Sequence, residues 1–189
     1  MTGTWKLAFV GEPGAGKTTC IGAVSDIAPV CTDVECTDEL AQIKATTTVA
    51  LDYGELDLGA DGRLLLYGLP GQERFRYMFD VVRENLLGVA VLVDGAAADP
   101  LRGLSETLQS YASELRELPC VICVNKAGAE AKALLLACRR MLGQFGLVAP
   151  LLTIDARRRA DVVRVFEMLF LLLEQGSLGR EVKEMPSWH

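Results

Sequence analysis

The chain has 189 residues, of which 50% are hydrophobic, and a formal net charge of −6 at pH 7. This length and hydrophobicity suit one domain with a sizeable core. The net negative charge argues against a nucleic-acid partner, because binding to a phosphate backbone depends on clustered lysine and arginine side chains. The short basic runs at residues 139–140 and 157–159 are more typical of solvated helix ends than of a binding patch.

The sequence indicates neither a membrane anchor nor a cysteine metal site. No apolar stretch reaches the roughly 18 residues that a membrane span requires, and we expect no stable lipid anchor. Cys120 and Cys123 have the CxxC spacing but lie in an apolar run without further ligands, so we interpret them as core residues. Free thiols without a signal peptide predict a cytoplasmic protein.

The first predicted elements surround a glycine-rich loop. Residues 4–10 alternate loosely and then run apolar, which predicts a buried parallel strand, and residues 19–27 have helical character. Between them, residues 11–18 match the pattern G-x-x-x-x-G-K-[ST]. Residues 28–45 are rich in polar residues and show no period, which predicts a loop.

The glycine-rich loop has the chemistry of a phosphate cradle. Glycines let backbone N–H groups turn toward phosphate oxygens, and the following helix N-terminus adds a favourable dipole. Lys17 would reach the β- and γ-phosphates, and the Thr18 hydroxyl would coordinate Mg²⁺. We therefore predict that the chain binds a nucleoside triphosphate, with these residues at the nucleotide: Gly11, Gly14, Ala15, Gly16, Lys17, Thr18 and Thr19.

The rest of the chain alternates strands with helices. A hairpin is predicted from strands at 49–58 and 63–67, followed by a helix that ends at Leu87. Further strands are predicted at 89–93, 120–124 and 151–154, and further helices from Pro100, at 130–142 and at 158–175. This order predicts an α/β fold with a six-stranded, mostly parallel sheet and about five helices. We assign residues 1–176 to one domain and 177–189 to a disordered tail, because Gly176 ends the last predicted helix.

The motifs that follow the strands resemble, in their order, those of the Ras-like small GTPases. The resemblance rests on residues 11–18, 68–72, 125–128 and 155–157 and covers about residues 4–175. More narrowly, residues 46–54 and 69–75 resemble a bacterial branch that includes the gliding-polarity and conservon GTPases. Sites in such folds lie at the carboxyl ends of strands, where these motifs are expected.

The resemblance implies a P-loop NTPase with a Ras-like G domain that binds GTP or GDP with Mg²⁺. It implies slow GTP hydrolysis, in which Lys17 contacts the phosphates, the Gly71 N–H meets the γ-phosphate and Gln72 orients the attacking water. The metal-sensing threonine best matches Thr48, although Thr46 and Thr47 compete. Members of this branch commonly accompany a roadblock-type regulator, and the conservon members suggest partners linked to sensor-kinase signalling.

One departure from the family lies on the metal side. Gly68 stands where the family has an aspartate that holds Mg²⁺ through a water molecule. Mg²⁺ would then depend on Thr18, Thr48, phosphates and water, which is compatible with its habit of keeping several waters. Asp52 and Asp94 are candidates to help from further out. The bacterial branch often lacks the same aspartate.

The second departure lies on the base side. Asn125 and Lys126 match the family's base-recognition motif, but Gly128 replaces the aspartate that accepts hydrogen bonds from guanine. By analogy with base readout, such a bidentate pair discriminates by about 1–3 kcal/mol, and Glu130 is a candidate substitute. Residues 155–157 (Asp155, Ala156 and Arg157) match the Ser-Ala-Lys position, where the Ala156 N–H would bond the guanine carbonyl. The sequence favours GTP and leaves ATP open.

Other functions and roles remain open from the sequence. The two glycines also motivate a pseudo-GTPase that serves as a binding module without specific nucleotide binding or hydrolysis. A small-molecule P-loop kinase would explain residues 11–18 but not residues 70–75, and it lacks an arginine-rich lid. Arg74 and Arg76 are candidates for an arginine finger or for simple surface charges. The partner surface is expected among Tyr53, Phe75, Tyr77, Met78 and Phe79, some of which must be core residues.

Overall fold

The computed structural model describes residues 3–31, 51–73 and 76–184, with side chains for 3–30, 51–73 and 76–176. The strands are β1 (Gly3–Gly11), β2 (Val30–Cys31), β3 (Asp52–Asp57), β4 (Gly62–Pro70), β5 (Leu86–Asp94), β6 (Cys120–Asn125) and β7 (Leu151–Ile154). The α-helices are α1 (Lys17–Val24), α2 (Tyr77–Val82), α3 (Pro100–Glu117), α4 (Ala131–Gln144) and α5 (Arg159–Glu184). A short 3-10 turn, Gly59–Asp61, joins β3 to β4.

The strands form one sheet in the order β2-β3-β4-β1-β5-β6-β7. Strands β4, β1, β5, β6 and β7 run parallel, whereas β2 and β3 are antiparallel to their neighbours. The mostly parallel α/β sheet and the early hairpin are therefore confirmed. The seventh strand in the described part of the chain is β2, in which Val30 pairs with Tyr53 inside the segment predicted to be a loop. Two residues are too few to show an alternating pattern.

Helices cover both faces of the sheet. Along β1, Ala8 and Val10 pack on one face with side chains of α2, α3 and α4. Leu7 and Phe9 point to the other face, where they pack with α1 and α5. This alternation follows from the two-residue period of a strand, and it makes β1 the centre of both halves of the core.

Helix α2 is shorter than the sequence predicted. The expected helix reached Leu87, whereas α2 ends at Val82 and β5 begins at Leu86. Asn85 has a φ of 59°, a left-handed conformation that cannot continue a right-handed helix. The Leu86 N–H instead donates to the Arg83 carbonyl at 3.2 Å, so the chain turns directly into the strand.

Helix α5 passes through Gly176, where the sequence predicted its end, and continues to Glu184. A glycine inside a helix costs only about 1 kcal/mol relative to alanine, which is too little to end a long helix by itself. The predicted boundary is therefore wrong, residues 185–189 lie outside the described residues, and the division into domain and tail stays a prediction. None of the described helices has both the length and the apolar character needed to cross a membrane.

Candidate functional site

The sheet brings the predicted motifs to one edge. Gly11 at the end of β1 lies between Pro70 of β4 and Leu92 of β5. Further along the sheet, Asn125 ends β6 beside Asp94 and Ile154. Because parallel strands end at the same edge, the phosphate loop and the other motifs surround a common space.

The glycines of the phosphate loop are required by its backbone. Gly14 and Gly16 have φ values of 81° and 108°, which side-chain-bearing residues rarely adopt. Gly16 also caps the start of α1, and a Cβ there would overlap the side-chain nitrogen of Asn125. The loop can therefore approach its surroundings closely only with glycine at this position.

Lys17 folds back across the loop. Its ammonium group donates to the carbonyl oxygens of Gly11 and Glu12, both at 2.9 Å. Burial lowers the pKa of Lys17, and the nearby carboxylates of Asp52 and Glu12 oppose that lowering. The cation is thus held at the mouth of the phosphate loop by groups that phosphate oxygens would replace.

Gly71 is the second group that bonds the Gly11 carbonyl. The Gly71 N–H donates to that oxygen at 3.0 Å. A Cβ on Gly71 would overlap the Thr107 hydroxyl of α3, so the residue is packed tightly against the helix. The two donors that the sequence assigned to the terminal phosphate therefore share one carbonyl acceptor, and half-buried Gln72 follows directly.

On the metal side, a carboxylate lies beside the position where the family aspartate is missing. Asp52 is directly opposite Gly68 in the antiparallel pair of β3 and β4, and it is buried. A Cβ on Gly68 would lie 2.8 Å from the Asp52 Oδ2 atom. Asp52, named as one of two candidates from the sequence, therefore takes up the space next to position 68, and its charge acts on Lys17.

The residues at this side suit Mg²⁺, which prefers oxygen ligands and keeps several waters. The candidate oxygens are the Thr18 hydroxyl in the first turn of α1 and the Asp52 carboxylate. The described residues contain no group of three or more His, Cys, Asp or Glu side chains that would hold a metal by themselves. A metal here would therefore be shared with phosphate and water. Thr48, predicted as a ligand, lies outside the described residues, as do Thr46 and Thr47.

Asn125 joins three parts of the site. Its buried side-chain amide donates to the Ala15 carbonyl at 2.9 Å, and its side-chain oxygen accepts from the Ala156 N–H at 3.1 Å. Lys126 adjoins it with a φ of 55° and donates to the Gly14 carbonyl and to Asp94, both at 2.7 Å. These two residues therefore attach the phosphate loop to the base side of the site.

The base side is arranged differently from the expectation. The Ala156 N–H, predicted to bond the guanine carbonyl, is directed to Asn125. Arg157 turns back onto Asp155, with its Nε at 2.9 Å and its Nη2 at 2.7 Å from the two carboxylate oxygens. These hydrogen bonds lower the pKa of Asp155 to about 2. The ion pair of Asp155 and Arg157 therefore places a carboxylate and a guanidinium group at the edge of the adjacent cavity.

A cavity of about 780 Å³ opens between the phosphate loop and the residues after β7. Its volume is within the range of roughly 300–1,000 Å³ that is usual for ligand sites. The predicted residues that line it are Gly14, Gly16, Thr19, Asn125, Lys126, Asp155, Ala156 and Arg157. The sequence missed Thr153, Arg158, Asp161 and Arg164, although their position around the end of the last strand was a signal. Glu130, the candidate substitute for the missing aspartate, is not among the lining residues.

Several other predicted roles can be placed. Arg76 pairs with Glu114 of α3 rather than pointing to the phosphate loop. Tyr53, Met78 and Phe79 are core residues, whereas Tyr77 is exposed. Arg74 and Phe75 lie outside the described residues. Among the residues whose side chains are described, four cysteines are free and buried, and Cys120 and Cys123 are two of them. Burial raises the pKa of both thiols, to about 11 for Cys120.

The chain is similar to a known protein family and to a solved structure. The model of a family described as "Conserved hypothetical ATP binding protein" matches residues 31–174, a stretch that begins after the phosphate loop. The structure is similar to that of the Arl6 (BBS3) small GTPase from Trypanosoma brucei with the bound nucleotide analogue GppNp. The TM-score is 0.64 at 16% sequence identity, over 92% of this chain and 99% of that chain. This likeness shows a small-GTPase fold, and no curated protein matches the sequence.

Proposed function

The chain belongs to the family described as conserved hypothetical ATP-binding proteins, and we propose that it is a nucleotide-dependent regulatory switch whose nucleotide is GTP. It binds GTP with Mg²⁺, hydrolyses it slowly to GDP and phosphate, and presents different conformations to a partner. The small-GTPase fold and the family description support nucleotide binding. The carrying observation is that Lys17 and Gly71 share the Gly11 carbonyl.

Because Lys17 and Gly71 donate to the same Gly11 carbonyl, a bound phosphate would offer both donors an alternative acceptor. A phosphate group in the loop offers stronger, charged acceptors than a backbone carbonyl. Lys17 would exchange Gly11 and Glu12 for phosphate oxygens, and Gly71 would follow only when a terminal phosphate is present. Gly71, Gln72 and α2 would then adopt one position with a triphosphate and another with a diphosphate, which is how nucleotide switches work.

For hydrolysis, Gln72 is the residue proposed to position the attacking water. It follows Gly71 at the end of β4, so the movement that brings the Gly71 N–H to phosphate also carries Gln72 toward the terminal phosphorus. Its side-chain amide would orient the attacking water, while Lys17 would stabilise charge on the phosphate oxygens. Mg²⁺, held by Thr18 and supported by Asp52, would supply further charge neutralisation. Slow turnover is expected because Arg76, a candidate arginine finger, pairs with Glu114 instead.

The base preference is the finer part of the proposal. Asn125 and Ala156 both line the cavity, and the T. brucei structure carries a GTP analogue; these observations support a preference for GTP. The family description points to ATP, and Gly128 leaves no carboxylate at the guanine-reading position. These two observations favour a second candidate, a pseudo-GTPase with relaxed base choice or no hydrolysis that acts as a binding module.

A roadblock-type regulator remains the proposed partner. On α2, Tyr77 and Val81 are 37% and 40% exposed and lie four residues apart, on one face of the helix. Because α2 directly follows the segment that would respond to phosphate, this face is the natural surface for a partner that distinguishes the two states.

The deciding experiment is calorimetric titration with GTPγS, GDP and ATPγS in the presence of Mg²⁺, followed by single-turnover hydrolysis of GTP. We expect binding of GTPγS and GDP, a weaker ATPγS signal, and loss of binding in Lys17→Ala. Arg139→Ala, an exposed cation distant from the loop, is the matched control. A folded protein that binds none of the three nucleotides would refute the switch. Binding without any hydrolysis would favour the pseudo-GTPase.

A further inference from the structure

One stripe of α3 contacts residues at the end of β4 and on either side of α2. Tyr111, Glu114 and Glu117 recur every three residues along the helix, so they lie on one side of it. The Tyr111 hydroxyl donates to the Pro70 carbonyl at 2.9 Å. Glu114 pairs with Arg76, and Glu117 accepts from Arg83 at 3.0 Å. We call these three α3 residues the α3 stripe.

The central contact of the α3 stripe is the ion pair of Arg76 and Glu114. The Arg76 Nε donates to Glu114 at 3.1 Å, its Nη2 donates to the same oxygen, and Ser113 bonds the other carboxylate oxygen at 2.6 Å. The Glu114 side chain is only 8% exposed, whereas that of Arg76 is 52% exposed. Burial would raise the pKa of Glu114, but the hydrogen bonds from Ser113 and Arg76 outweigh it and lower the pKa. The carboxylate therefore stays charged and paired.

The outer contacts differ in character. Tyr111 is fully buried, and its ring packs against that of Phe79 with centroids 5.6 Å apart. The pair of Arg83 and Glu117 is exposed on both sides, at 55% and 66%, and exposed pairs contribute little. Two contacts therefore hold the segment firmly, one at Pro70 and one at Arg76.

The contacts at Pro70 and Arg76 lie on either side, along the chain, of Gly71 and Gln72, the residues proposed to act on a terminal phosphate. Gly71 follows Pro70 directly, and its N–H is on the Gly11 carbonyl. For that N–H to turn to phosphate, the Pro70–Gly71 peptide must move, and the Pro70 carbonyl is held by Tyr111. Arg76 restrains the same segment from its other end. A triphosphate would therefore have to loosen the α3 stripe, whereas a diphosphate would not.

We propose that the α3 stripe is an autoinhibitory latch, in which Arg76–Glu114 and Tyr111–Pro70 disfavour the triphosphate-bound conformation and so set the preference between GTP and GDP. This inference rests on the proposed function and names the regulation of the same site. A ligand shifts a conformational equilibrium only by its different affinity for the two states. By reciprocity, whatever weakens the latch strengthens triphosphate binding, and triphosphate binding weakens the latch.

The test uses the full chain with Glu114→Gln and, separately, Tyr111→Phe, which keeps the ring contact and removes only the hydroxyl. With Mg²⁺, we expect the Kd for GTPγS to fall about fivefold or more, as is usual for coupled sites, while the Kd for GDP stays unchanged. Glu167→Gln is the matched control, since it removes the same charge from an exposed position on α5, on the other face of the sheet.

A second measurement does not depend on nucleotide. Hydrogen exchange in the nucleotide-free protein should be faster over Tyr77–Val82 in Glu114→Gln than in the wild type or Glu167→Gln. Unchanged exchange would overturn the latch, and so would faster exchange with an unchanged ratio of GTPγS to GDP affinity. If no variant binds any nucleotide, the proposed function fails and the regulatory role with it. Faster exchange would then show only that the stripe restrains the segment.

Discussion

Asp52 and Gly68 lie directly opposite each other on antiparallel strands, and the Asp52 side chain fits there because Gly68 has no side chain. A Cβ on Gly68 would come within 2.8 Å of both Cβ and Oδ2 of Asp52. The carboxylate thus occupies the neighbourhood that a side chain at position 68 would need. Asp52 of β3 therefore lies beside the β4 position at which the sequence comparison with the family leads us to expect an aspartate.

This relationship predicts the outcome of a swap. Gly68→Asp alone should lower the Tm, because overpacking costs about 1–3 kcal/mol, and each 1 kcal/mol corresponds to about 2–4 °C in a domain of this size. Adding Asp52→Gly to Gly68→Asp should recover part of that loss. Thermal unfolding checks both variants. The Mg²⁺ dependence of GTPγS binding should weaken in Asp52→Gly and return in the double variant; an unchanged dependence in Asp52→Gly would remove Asp52 from the metal side.

Gly128 provides a test of base choice. A Cβ at this position would meet nothing within 4 Å, so an aspartate fits without displacing its neighbours. Gly128→Asp should improve the preference for GTPγS over ATPγS by about 1–3 kcal/mol, by analogy with a bidentate base contact. Gly143→Asp, also at an open glycine, adds the same charge away from the cavity. If both variants change the preference equally, the effect is one of charge rather than of base recognition.

Glu12 should make stability depend on pH. Its Oε1 atom is buried without a hydrogen-bond partner, and burial together with the Glu106 carboxylate raises the pKa of Glu12 above 4.5. A raised pKa means that the folded state binds the proton more tightly, so the contribution of Glu12 to stability is fully present below pH 4.5 and is lost as pH rises through the folded pKa. In Glu12→Gln the side chain is a neutral amide at every pH in this range, so this dependence on pH is removed.

The variant should therefore unfold at a higher temperature than the wild type at pH 7.5, by about 2–4 °C for each 1 kcal/mol recovered. The difference should shrink toward pH 4. Thermal unfolding across this range is the measurement, with Glu167→Gln as the exposed control. A difference that stays constant with pH would show that the Glu12 proton is not responsible.

Asn125 should support stability as well as binding. Asn125→Ala removes the partners of the Ala15 carbonyl and the Ala156 N–H, both at a buried position. Leaving a buried polar group unsatisfied costs about 1–3 kcal/mol, so the Tm should fall even without nucleotide. Lys126→Ala, which removes an exposed ion pair, should affect nucleotide affinity with little change in Tm. Equal Tm values for the two variants would contradict the bracing role of Asn125.

The phosphate loop, the order of strands and helices, and the edge at which the motifs meet were all predictable from the sequence. Each depends on local patterns: glycine spacing at residues 11–18, apolar runs for buried strands and helical periodicity at Leu104 and Leu108. Such patterns carry information over a few residues. They failed at Asn85, whose left-handed backbone conformation cannot continue the predicted helix, and at Gly176, where the glycine penalty is too small to end one.

What the sequence by itself determined is an α/β fold with a glycine-rich loop at residues 11–18. Only the tertiary structure decided which distant residues meet. Asp52 meets Gly68 through strand register, Gly71 and Lys17 meet at the Gly11 carbonyl, and Arg76 meets Glu114 across 38 residues. Each of these contacts joins residues from separate elements, and their partners are set by packing rather than by any periodicity along the chain.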